Sequence, residues 1–130
     1  MRTMCWLLAV AWLLIACTNE STPTAVVFDV AARDVAFEPT ALSVPAGAAV
    51  TVNLTNKGML QHDWVVVPAT IDPATATVAD AANQADSGMV TGGQNTTVTF
   101  TAPAAGDYHF LCTVPGHAAA GMVGTFTVTP

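Results

Sequence analysis

Four residues in this chain carry donor atoms that a single metal ion could share. Near the C-terminus the sequence reads C-T-V-P-G-H-A-A-A-G-M over residues 112 to 122, so Cys112, His117 and Met122 follow one another at five-residue intervals. A second histidine, His62, stands upstream in Q-H-D-W-V-V-V, at the start of a predicted strand. Thiolate and two imidazoles in a trigonal plane, with a weak axial thioether, make a type 1 (blue) copper centre. The residue types suit the chemistry. Thiolate favours Cu(I), imidazole serves both Cu(I) and Cu(II), and a long Met contact imposes no square-planar geometry on Cu(II). One copper ion is the cofactor this set predicts.

Taken singly, each of the four residues is as ordinary as any core or surface side chain. The spacing of Cys112, His117 and Met122 on one loop, taken together with His62, is what makes them a set. His109 alternates away from Cys112 along its strand and is expected to be a surface or hydrogen-bonded histidine. Met59 and Met89 are alternative thioethers, the first expected on an apolar rim and the second in a loop. Three histidines in all are too few for the second copper cluster of a multicopper oxidase or nitrite reductase. A single loop cysteine excludes a binuclear CuA centre, and no C-x-x-C-H is present for a c-type haem. Zinc is chemically open to such ligands, although the Met argues against it. No enzymatic activity is expected.

These donors need a rigid frame. Short segments rich in Val, Thr and Phe, punctuated by Gly, Pro and Asn, predict strands at 25–31, 34–38, 41–44, 48–55, 62–67, 95–101, 106–112 and 122–129. Val50, Val52 and Leu54 alternate with Thr51, Asn53 and Thr55, and Val98 and Phe100 with threonines, so each strand has one buried and one wetter face. With no strand–helix–strand rhythm, the pattern predicts an all-β, antiparallel sandwich. The Ala-rich run 72–86 predicts a short helix or helical loop, with Pro73 in its first turn. Phe28, Phe37, Trp64, Phe100, Phe110 and Phe126 are the expected core fillers. In G-D-Y-H-F-L-C, Tyr108, Phe110 and Cys112 share a face, so the thiol leaves the core side, and Pro115 and Gly116 turn the chain to return His117.

The front of the chain is a different kind of segment. Arg2 precedes an uncharged apolar run, and residues 3–19 carry no charge. That is the layout of a secretory signal peptide, and the run is shorter than the roughly 20 residues of a membrane-spanning helix. The ending L-I-A-C resembles the bacterial lipoprotein box, which implies cleavage after Ala16 and lipidation of Cys17. Residues 1–16 are then the signal, 17–24 the lipidated cysteine and a polar tether, and 25–130 the folded domain. Of three cysteines the domain keeps only Cys112, which leaves no disulfide within a monomer. An exported thiol kept reduced fits metal ligation. After cleavage, Arg33 and Lys57 face nine acids, a net charge of −7 with neutral histidines. That sign disfavours nucleic acid and suits steering of a cationic protein.

The motifs Q-H-D-W-V (61–65), Y-H-F-L-C (108–112), C-T-V-P-G-H (112–117) and A-G-M-V-G-T-F-T-V-T (120–129) together resemble the cupredoxins, the auracyanin type first and the azurin type next. The resemblance implies a Greek-key β-sandwich of about eight strands, with copper bound by His62, Cys112 and His117 and axially by Met122. It places the Gln61 carbonyl near the metal, as in azurin-type sites. It makes Asp63 and Thr113 a link between the two ligand segments. Family members usually carry Asn where this chain has Asp63. Ionised, Asp63 can only accept hydrogen bonds and brings negative charge near the copper; protonated, it restores the Asn role. The implied function is a monomeric electron carrier, cycling Cu(II)/Cu(I) between redox proteins such as a cytochrome or a membrane electron-transfer complex. It would be held by lipid on the outer face of a bacterial cell membrane. A copper-binding or delivery protein is the alternative, though open Met/His-rich tracts are absent. The uncharged loop 112–122 suggests a partner surface with His117 as the electron's route.

Overall fold

The computed structural model describes residues 22–130, so the signal segment and Cys17 lie outside the described residues. Eight strands follow in order: β1 (Ala25–Arg33), β2 (Ala36–Glu38), β3 (Ala41–Pro45), β4 (Ala49–Asn56), β5 (Val65–Pro68), β6 (Asn95–Thr101), β7 (Gly106–Leu111) and β8 (Val123–Thr129). They form two four-stranded sheets, ordered β2-β1-β4-β6 and β3-β8-β7-β5. The predicted strands are all present, and the fold is the expected cupredoxin-type sandwich. The antiparallel expectation needs correction, because each sheet contains one parallel pair, β1 with β4 and β3 with β8. The chain leaves β1 through β2 and crosses to the other sheet as β3 before returning as β4. Such a crossover, rather than a hairpin, is what joins parallel neighbours.

Alternation does what it predicted. Val50, Val52 and Leu54 of β4 meet Val98 and Phe100 of β6, Leu42 and Val44 of β3, and Phe126 and Val128 of β8 in one core. Trp64, Phe110 and Phe126 are fully buried, each contributing roughly 1.5–3 kcal/mol by its removal from water. Trp64 stacks on Phe110 with ring centroids 5.6 Å apart, and Phe37 meets Phe110 edge-on at 5.5 Å. Phe28 is only half-buried and packs on the margin of this cluster. A Cβ on Gly124 would run into the Phe110 ring, so that glycine lets β8 pass close beside β7's core side chain.

Residues 72–86 contain no α-helix. They hold two single 3-10 turns, Val78–Asp80 and Ala82–Gln84, with Asn83 and Gln84 in left-handed backbone. Asp72 folds back to accept the Ala74 amide at 2.9 Å, and Thr77 and Asp80 cap one another. The segment covers the outer face of β5 and β7, where Val65, Val67 and Leu111 form a second small core with Ile71, Ala76 and Ala81. That cover explains why Val65, Val66 and Val67 are all buried and do not alternate.

Candidate metal centre

His62 does not sit on a strand, contrary to the sequence expectation. It lies three residues before β5, held by a single bridge in which its amide donates to Val90 O (3.1 Å) and its carbonyl accepts from Val90 N (2.7 Å). Asn56, fully buried at the end of β4, fixes the approach. Its Nδ2 donates to Leu60 O and Val90 O at 2.7 and 2.9 Å, and its Oδ1 accepts from the Gly58 amide at 2.9 Å. Sequence reasoning missed this residue. Its one signal was an Asn continuing the buried face of β4 directly into a turn.

Cys112 follows β7 with its thiol in the core. Its amide donates to Met122 O (3.2 Å), and the Met122 amide donates to His117 O (3.0 Å), so three of the predicted ligands are tied to one another through backbone. Gly116 and Gly121, at φ of 85° and 106°, take the left-handed turns that close this loop. Met122 is fully buried and His117 half-buried.

The side chains converge. Cys112 Sγ lies 3.5 Å from His117 Nδ1 and 3.8 Å from His62 Nδ1, and the three donor atoms lie within 4.8 Å of one another. With metal–sulfur and metal–imidazole bonds of about 2.3 and 2.0 Å, donors held at trigonal to tetrahedral angles stand roughly 3.5–3.7 Å apart. The separations therefore fit one ion bound through Sγ and two Nδ1 atoms. Met122, buried in the same core cluster as Cys112, supplies the thioether of a typical type 1 copper set. Burial lowers the His62 pKa, helped by the neighbouring His117 and opposed by Asp34, which keeps the imidazole neutral and its lone pair available. Burial pushes the Cys112 thiol up to about 11, against backbone N–H groups of Asp63 and Val114 that favour the thiolate.

Asp63 is fully buried and links the two ligand segments as expected. Its Oδ1 accepts from the Thr113 amide at 2.6 Å, and its Oδ2 accepts from the Thr113 hydroxyl. Both carboxyl oxygens are engaged by this one residue. Gln61 is an exposed neighbour of His62. Met59 and Met89 are 89% and 55% exposed, on the surface and not in the core with Met122. His109 faces away from the centre as predicted, but it is not a satisfied histidine: its buried Nδ1 has no hydrogen-bond partner.

The family model for copper-binding proteins of the plastocyanin/azurin family matches residues 24–129. Auracyanin-B of Chloroflexus aurantiacus is 38% identical over 129 residues, covering 86% of this chain and 55% of its own length. The chain thus spans little more than half of that relative. Auracyanin-A of the same organism is 36% identical over 115 residues, covering 76% of this chain and 71% of the relative. The solved structure of dithionite-reduced auracyanin from Roseiflexus castenholzii superposes with a TM-score of 0.69 at 33% identity, covering 80% of this chain and 97% of that one.

Proposed function

This chain belongs to the plastocyanin/azurin family of copper-binding proteins, and we propose that it is an exported, lipid-anchored electron carrier serving membrane-associated redox partners. The observation that carries the reading is the convergence of Cys112 Sγ on two imidazole Nδ1 atoms at 3.5 and 3.8 Å. Copper held there supplies a one-electron Cu(II)/Cu(I) couple. The chain's own residues supply the rest. Backbone bonds among Cys112, His117 and Met122, and the Asp63–Thr113 link, hold the donors in one arrangement. A fixed arrangement acceptable to both oxidation states keeps reorganisation small when an electron arrives. Full burial of His62, Cys112 and Met122 favours retention of the ion over its release, which supports a carrier above a delivery protein.

Adding Cu(II) to the metal-free protein should produce an intense visible thiolate-to-copper band that a mild reductant bleaches. Cys112→Ser should abolish it. A band that persists in that variant would remove Cys112 from the site and the carrier reading with it.

A further inference from the structure

A ligating imidazole has a second nitrogen, and what that nitrogen meets fixes which tautomer the ring adopts. His62 turns Nδ1 toward Cys112 and Nε2 toward the turn between β1 and β2. The Nε2 atom is fully buried without a hydrogen-bond partner at ordinary distance, and Asp34 Oδ1 faces it at 3.6 Å. An orphaned donor in the core is costly, and here an acceptor stands just beyond reach.

Asp34 is built into that place. Its Oδ1 also accepts the backbone amides of Met59 and Leu60, at 2.9 and 3.1 Å. These two donors hold its carboxyl below the usual carboxylate range. Residue 58 is glycine where any Cβ would collide with the Asp34 carboxylate and would come within 2.9 Å of the Asp34 amide nitrogen. The loop 57–60 therefore closes around this carboxylate, and Asn56 braces the same loop from the core side.

We propose that Asp34 is a positioning residue for the His62 ligand: its carboxylate accepts from His62 Nε2–H, fixes the tautomer that leaves Nδ1 free for the metal, and sets negative charge behind the ring. The inference deepens the copper reading and rests on it for its redox consequence. A carboxylate behind the imidazole strengthens it as a donor and favours Cu(II) over Cu(I).

Two variants at one fixed neutral pH separate this role from simple stapling of the loop. Asp34→Asn keeps an oxygen acceptor for the Met59 and Leu60 amides and removes only the charge. It should retain the visible band and thermal stability, while the Cu(II)/Cu(I) affinity ratio falls about threefold, a rise in potential of about 30 mV for a one-electron couple. Asp34→Ala removes the acceptor altogether. In the metal-free protein, ring nitrogen NMR shifts should then show His62 passing from a single Nε2–H tautomer to a mixture. A wild-type potential in Asp34→Asn, together with an unchanged His62 tautomer in Asp34→Ala, would overturn the proposal and leave Asp34 as a loop staple. If the wild-type protein takes up no copper, the copper reading fails on its own, and the metal-free tautomer still decides the role of Asp34.

Discussion

At Cys112, burial and chemistry pull in opposite directions. The metal needs a thiolate, yet a thiol withdrawn from water prefers its proton and is pushed from 9.0 to about 11. In the metal-free fold the neutral thiol is the favoured form. Its contribution to stability is therefore complete below pH 9.0 and lost as pH rises from there toward about 11. His62 works at the other end. Its lowered pKa favours the neutral ring, so its contribution holds above 6.5 and is lost as pH falls below that value. The Tm of the metal-free protein should thus be flat between these limits and fall on both sides, and Cys112→Ala should erase the alkaline fall alone. An alkaline fall of the same size in that variant would assign it to another group. Three of the four ligands, Cys112, His117 and Met122, were legible because spacing on one loop is a local property, and His62 was legible from its own motif Q-H-D-W-V. Asp34 and Asn56 were not legible. Asp34 and His62 are brought together only by the pairing of strands, and no sequence interval records that approach.

Among the elements, strands with one wet face announced themselves. Period-two alternation located β4 and β6 because their outer faces meet water. The all-buried β5 was found as an apolar run, but its start was misplaced, since His62, Asp63 and Trp64 are buried like strand residues while hydrogen-bonding as a loop. Parallel pairing was hidden because it depends on where the chain crosses between sheets. In the 72–86 segment, alanine content suggested helix, but Asp72, Asn83 and the Thr77–Asp80 cap satisfy the backbone in turns, and Ala76 and Ala81 serve as packing on the second small core. The loop 112–122 raises a separate question. Pro115, Gly116, Ala119, Ala120 and Gly121 are exposed and uncharged, around a half-buried His117. Part of this is tight geometry, because two glycines are required by positive φ. Ala119 and Ala120 carry no such constraint. Exposed apolar surface of this kind is what a partner contact would use, and in the proposed carrier the His117 ring would offer the electron a short route through it. Ala119→Lys should slow electron self-exchange and transfer to a small cytochrome by roughly tenfold, since a charge would have to be buried at the contact. The visible spectrum should stay unchanged. Rates that hold at wild-type values would place the exit elsewhere and leave the loop as packing.

For the whole molecule, the direction of β1 governs how an anchored domain would present its copper end. β1 runs from Ala25, where Thr24 O accepts the Ala49 amide, to Arg33, next to the Asp34 that faces His62. Its nine residues cover about 26 Å. The chain therefore enters at the pole opposite the metal ligands. Lipid on Cys17 and the tether that follows, at most about 25 Å for residues 18–24, would attach at that far pole. The uncharged loop around His117 would then face away from the bilayer, toward partners that project from it or diffuse beside it. The acids elsewhere on a mature chain of net charge −7 would steer a cationic partner without occupying the contact. Attachment by lipid needs more than one acyl chain, because a single chain is not enough for stable anchoring. The native mature protein should begin at Cys17 with a mass increased by more than one acyl chain, and it should sediment with membranes. Cys17→Ala should either remain as the uncleaved precursor or appear in the soluble fraction, with its copper spectrum intact in both cases. Native protein whose mass still includes Arg2 would overturn the lipid anchor. It would leave the apolar run in place as the attachment, still at the pole opposite the copper.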